Sequence, residues 1–147
     1  MNRPRLVVPL LPAWFRWAGV AAVAIGIFYL SVITVPPETT VVPGRPDLLP
    51  LDKWRHFLAY AAFGGALAYA TVDWQWRTRR LALAVLAVVV VYGVGIEIWQ
   101  SMIPDRYFGL GDAYANAFGG VLALPLFLLR DRVPFRTLGE LLTALRE

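Results

Sequence analysis

Four uninterrupted apolar stretches constrain this chain more than anything else in its sequence. They run from Trp14 to Val35, Trp54 to Val72, Leu81 to Met102 and Leu110 to Leu129. Each approaches the roughly 20 residues that an α-helix needs to cross a 30 Å hydrocarbon core. No water is available there to satisfy stray amides, so segments of this kind are helices. The Val-rich run from Val85 to Val91 could read as a strand, but it lies inside a longer apolar block. The first stretch is too long for the apolar region of a signal peptide. Its small residues Ala22 and Ala24 fall within it rather than after it, so we expect it to be uncleaved.

The punctuation agrees. Pro36 and Pro37 stop the first stretch, the polar turn from Asp73 to Arg80 separates the second from the third, and Pro104 closes the third. After Arg130, the residues Phe135, Leu138, Leu141, Leu142 and Leu145 recur at helical spacing, which predicts an amphipathic helix on the membrane surface. The expected fold is therefore all-α: an integral membrane four-helix bundle over residues 1–133 and an amphipathic tail over 134–147.

Charge sets the expected orientation. The N-terminal segment, the second loop and the tail carry ten basic residues, against four (Arg45, Lys53, Arg55 and Arg106) in the first and third loops. The positive-inside rule then places both termini in the cytoplasm. The net charge of +4 reflects this layout and attraction to anionic lipid, and we expect no nucleic-acid partner. With no cysteine in the chain, disulfides, thiolate nucleophiles and Cys-type metal sites are excluded.

Polar residues inside the stretches gather at one end. Asp52, His56 and Tyr60 are spaced four apart at the start of the second, so they share one slowly drifting helix face. Glu97 and Gln100 lie near the end of the third, Arg106 in the following loop, and Asp112 and Asn116 open the fourth. On the expected orientation all of these occupy the outer half of the membrane. A carboxylate there is costly, so Glu97 must be neutral, paired or hydrated, and an intramembrane carboxylate marks a functional site by default.

We take His56 and Glu97 as candidate catalytic acid and base. Asp52, Tyr60, Gln100, Arg106, Asp112 and Asn116 are candidate ligand-binding residues. Plainer roles compete: Asp52 and Asp112 as helix caps, His56 as an interhelical hydrogen bond, Tyr60 as packing and Arg106 as a headgroup contact. One histidine with scattered carboxylates is a weak ligand pattern, so no metal or cofactor is assigned.

The order Asp52-Lys53-x-x-His56-Phe57-x-x-Tyr60, Glu97-x-x-Gln100, Pro104-x-Arg106, Asp112-x-x-x-Asn116-x-x-Gly119 resembles the VanZ-like family of small membrane proteins. Founding members of that family are linked to low-level teicoplanin resistance. The resemblance covers residues 30–130 and implies a four-helix membrane protein with a shared outer-face polar site and a part in glycopeptide or cell-envelope stress tolerance. Gly109 departs from it, standing where many relatives are expected to carry an acidic or polar residue.

Three functions remain open at this point: binding an amphipathic or lipid-linked anionic molecule, an enzyme acting on a lipid headgroup or carrier phosphate, and a scaffold held by an interhelical polar lock. The expected partners are membrane lipids or a lipid-linked molecule, and a homo-oligomer is compatible with such a chain.

Overall fold

The computed structural model describes residues 7–34, 51–104 and 109–144, and only the backbone of residues 51 and 52. The order of elements is β1 (Val8–Leu10), α1 (Ala13–Phe28), α2 (Leu51–Ala70), α3 (Thr78–Ser101), α4 (Leu110–Val121), α5 (Leu124–Arg130), β2 (Phe135–Thr137) and α6 (Leu138–Ala144). A single π turn, Tyr29–Ile33, continues α1, and the Thr34 N–H reaches back five residues to the Tyr29 carbonyl at 3.0 Å. Three helical segments are long and apolar enough to cross a membrane: Ala13–Ile33, Thr78–Ser101 and Leu110–Arg130.

Two expectations are corrected. The last apolar stretch is not one continuous helix. Pro125 lacks an N–H and its ring opposes the carbonyl four residues earlier, so the chain breaks at Leu122 and Ala123 before α5 resumes. The fold is mostly helical as expected, with one small sheet added to it. β1 and β2 form a two-stranded parallel sheet with Val8 opposite Phe135 and Leu10 opposite Thr137. Phe135 therefore lies in a strand, the described part of the tail helix is Leu138–Ala144, and Leu145 lies outside the described residues. Thr137 and Glu140 start that helix with a reciprocal cap: the Thr137 N–H donates to Glu140 Oε2 at 2.7 Å, and the Glu140 N–H to Thr137 Oγ1 at 3.4 Å.

Helix α2 is the axis of the molecule, packing on α1, α3 and most extensively α4. Glycine makes the last contact close. A Cβ on Gly119 would lie 2.9 Å from the Ala61 nitrogen and strike the Phe57 carbonyl, while one on Gly64 would lie 2.8 Å from Ala123 Cβ. Small residues of this kind are how helices approach in lipid, where apolar surface alone gives no driving force for association. The interior is filled by Tyr60, Phe63 and Leu67 of α2, Val85, Val89 and Ile96 of α3, and Phe127 of α5. The outer surface is strongly apolar, with Ile25 67%, Leu83 66%, Val91 71% and Phe118 66% exposed, a patchwork suited to acyl chains rather than water.

At the far end of α2, Arg16 is buried and ties the helix terminus down. It donates to the Tyr69 and Ala70 carbonyls at 3.2 and 3.1 Å and grips both oxygens of Asp73 at 3.0 and 2.5 Å. These are the unsatisfied carbonyls every helix leaves at its C-terminus, and a guanidinium is well placed to accept that role. The Asp73 carboxyl is held below its ordinary range, chiefly by its hydrogen bonds to Arg16. Arg130 completes the clamp on the Val72 carbonyl at 2.8 Å and on the Trp74 carbonyl.

Candidate functional site

The opposite end of α2 holds the polar cluster, about 20 Å away along the helix. Three helices supply it. His56 comes from the first turns of α2, Glu97 from the last turn of α3, and Asp112 and Asn116 from the opening turns of α4. Glu97 and Asn116 are each 1% exposed, whereas His56 and Asp112 are half-buried.

Asn116 is the hub. Its Oδ1 lies 2.9 Å from His56 Nδ1, and its Nδ2 donates to Glu97 Oε1 at 3.4 Å. An amide oxygen accepts only, so the His56 Nδ1 carries a proton on this side and Nε2 faces Asp112. The Nε2 to Asp112 Oδ1 separation is 3.6 Å, and His56 Nδ1 lies 4.0 Å from Glu97 Oε1. The second oxygen of Glu97 accepts from the Gly109 N–H at 3.3 Å. Asp112 sits in the first turn of α4, where its charge suits the helix dipole, but makes no side-chain cap. Instead its Oδ1 meets Lys53 Nζ at 2.5 Å.

Glycines admit this geometry. A Cβ on Gly93, one turn before Glu97, would lie 3.1 Å from both Asn116 Cβ and Tyr60 Cε1. A Cβ on Gly109 would meet the end of the Asp112 side chain, so a larger residue there would require that carboxylate to turn aside.

No family model, curated protein or solved structure matches the chain. The residues themselves must carry the functional argument.

Of the eight residues singled out from the sequence, the structure brings His56, Glu97, Asp112 and Asn116 into direct contact or near-contact. Tyr60 lies one turn below His56, fully buried, with its hydroxyl lacking a hydrogen-bond partner among the described residues. Gln100 turns away: its Nε2 donates to the Ser31 carbonyl of the π turn at 2.8 Å and so joins α3 to α1. The Asp52 side chain and Arg106 lie outside the described residues. His56, Glu97 and Asp112 each present a possible ligand atom, all within 4.8 Å of one another, and are the residues able to hold a metal ion.

Two features were not singled out as site residues from the sequence. Lys53 was read as a loop charge, yet it pairs with Asp112 across the α2–α4 contact. The other is a cavity of about 420 Å³ between the same helices, walled by Trp54, Phe57, Tyr114, Ala115 and Phe118 with Lys53 at its edge. Trp54, Tyr114 and Phe118 are 44%, 69% and 66% exposed, so the cavity opens sideways between α2 and α4. The signal was present as aromatics four apart on α4, Tyr114 and Phe118, but such spacing more often means packing.

Proposed function

We propose that this protein crosses the membrane four times with both termini in the cytoplasm, and binds an anionic amphipathic or lipid-linked molecule from the outer leaflet. The cavity beside Lys53 carries this reading. Its aromatic walls accept a hydrocarbon chain, its open side faces where lipid lies, and Lys53, which lines it, pairs with Asp112 of the polar cluster. Helix α2 is the fourth span. Its polar opening turn kept it from standing out by composition, but it is 20 residues long and is packed along three other helices. The motif resemblance to VanZ-like proteins supports the same architecture and a role in tolerance of envelope-directed compounds.

Physical chemistry divides the work of binding. Moving an acyl chain from bilayer to cavity gains little, because both are apolar. Affinity therefore resides in the headgroup, held by Lys53 and the cluster, while cavity shape selects the chain. A second reading, an enzyme acting on that headgroup, draws on His56, whose Nε2 lies 3.6 Å from Asp112 Oδ1 and whose Nδ1 lies 4.0 Å from Glu97 Oε1.

The test is native mass spectrometry of the full-length protein released gently from detergent. Wild type retains a defined lipid or carrier. Lys53→Gln, Arg106→Ala and Phe57→Ala lose it while keeping the wild-type melting temperature. A wild type that carries nothing, or variants that retain the same species equally, would refute the ligand site.

A further inference from the structure

We propose that His56, Glu97 and Asp112 bind one divalent transition-metal ion of the zinc type, with Asn116 as the residue that positions two of the three ligands. The ion site goes beyond the lipid reading and stands without it. In a tetrahedral zinc centre with bonds of about 2.1 Å, neighbouring ligand atoms are about 3.4 Å apart. His56 Nε2 and Asp112 Oδ1 are 3.6 Å apart, and one ring nitrogen of His56 lies with a carboxylate oxygen of Glu97 and of Asp112 within 4.8 Å of one another, a spread that side-chain rotations close.

The surroundings are those of a metal ligand set. A metal-bound histidine ordinarily gives its other ring N–H to an acceptor, which fixes the tautomer and aims the ring. Asn116 Oδ1 accepts from His56 Nδ1 at 2.9 Å, so Nε2 is the ligating nitrogen. The same buried amide holds Glu97 Oε1 at 3.4 Å, orienting a second ligand. Tyr60 supplies an independent pointer: its hydroxyl is fully buried and unpartnered among the described residues, and its ring meets Gly93 on the same side as Asn116. A water carried by the ion provides the partner that this hydroxyl lacks.

Charge argues the same way. Among the described residues, two carboxylates stand with Lys53 at the end of a membrane-buried bundle, an arrangement that favours a divalent cation. One imidazole with two carboxylates suits zinc or manganese better than the all-oxygen shells of magnesium and calcium. Three protein ligands also leave a coordination position open for an outside group. The ion competes with Lys53 for Asp112, and so turns that ammonium toward the cavity it already lines.

Full-length protein in detergent, treated with chelator and exchanged, is titrated with Zn²⁺ by calorimetry and with Co²⁺ by its visible absorption. We expect one ion per chain. Affinity falls more than about 100-fold in His56→Gln and Asp112→Asn, beyond the 10–100-fold typical of an outer-shell partner such as Asn116→Ser. The half-buried positions of His56 and Asp112 let these two variants fold, as circular dichroism would verify, so the outcome does not depend on the buried Glu97. Asn116→Ser also shifts the Co²⁺ bands, which a loss of packing alone would not do. Glu140→Gln, at the opposite end, leaves binding unchanged. No uptake by wild type, or uptake that His56→Gln and Asp112→Asn leave undiminished, overturns the site. Lipid retention measured on the same metal-free protein keeps the two proposals separable.

Discussion

Replacing Gly119 with alanine should separate α2 from α4 and disable the cluster above it. An added Cβ would lie 2.9 Å from both the Ala61 nitrogen and Tyr60 Cβ, and closer still to the Phe57 carbonyl. Ordinary contact begins near 3.4 Å, and two of the three obstacles are backbone atoms that no rotamer change can move. The helices must therefore part by roughly 0.5–1 Å, a gap that forfeits a quarter to a half of each dispersion contact along the seam. Overpacking of this kind costs about 1–3 kcal/mol, and the better helix propensity of alanine returns up to about 1 kcal/mol. With backbone atoms as the obstacle the upper end of that cost applies, so the net loss is about 2 kcal/mol and lowers the melting temperature by roughly 4–8 °C for a chain of this size.

Asn116 lies one turn earlier on α4, so the same displacement stretches its 2.9 Å bond to His56 and weakens ligand and metal binding together. The assay is tryptophan fluorescence during thermal unfolding in detergent, beside Gly95→Ala as control. Gly95 is exposed with nothing within 4 Å of an added Cβ, so that variant should be neutral or stabilised. A Gly119→Ala protein as stable as Gly95→Ala, with binding intact, would refute the close α2–α4 approach on which the site rests.

Three further outcomes test the rest of the architecture. Arg16→Met leaves the α2 carbonyls without a buried donor and should cost about 1–3 kcal/mol in the same assay. Because the folded Asp73 carboxyl is held low, its contribution is present above its unfolded value of about 3.9 and disappears as pH falls through the depressed folded value. Wild type should thus show a loss of stability in that acid window that Asp73→Asn lacks. The cysteine-free background makes topology direct to measure. Met102→Cys should react with a membrane-impermeant thiol reagent in intact cells and Gln75→Cys only after lysis; the reverse pattern would invert the proposed orientation.

What could be read from the sequence, and what could not, divides along physical lines. Long apolar runs and the polar residues interrupting them are local patterns, so the helices and the one-sided grouping of His56, Glu97, Asp112 and Asn116 were visible at once. Pro125 was passed over because its neighbours are apolar, although a proline deep in a helix removes a hydrogen bond whatever surrounds it. The β1–β2 pairing joins opposite ends of the chain through strands of three residues, too short to show a period. Arg16 was counted as an orienting charge. Its position between Trp14 and Trp17, inside the opening turn of an apolar helix, hinted at burial, but its partner Asp73 could be found only once α1 lay on α2. Lys53 and the cavity likewise exist only as relations between α2 and α4.

The buried carboxylate of Glu97 separates a binding site from a mere fastening of helices. Interhelical polar bonds in membranes are worth about 0.6 kcal/mol each on average, whereas placing a carboxylate in the bundle costs a few kcal/mol by insertion scales. Among the described residues its two hydrogen bonds, at 3.3 and 3.4 Å, are long and offset little of that cost. Methionine, similar in length and apolar, would fill the same space without it. If the cluster exists to bind, Glu97→Met should match or exceed the wild-type melting temperature while losing ligand and metal, the signature of a site that trades stability for function. If the cluster is a lock, Glu97→Met should unfold at distinctly lower temperature than wild type, and the binding of ligand and ion should have been absent from the wild type already. The two readings thus predict opposite signs for one substitution, measured on one protein in one assay.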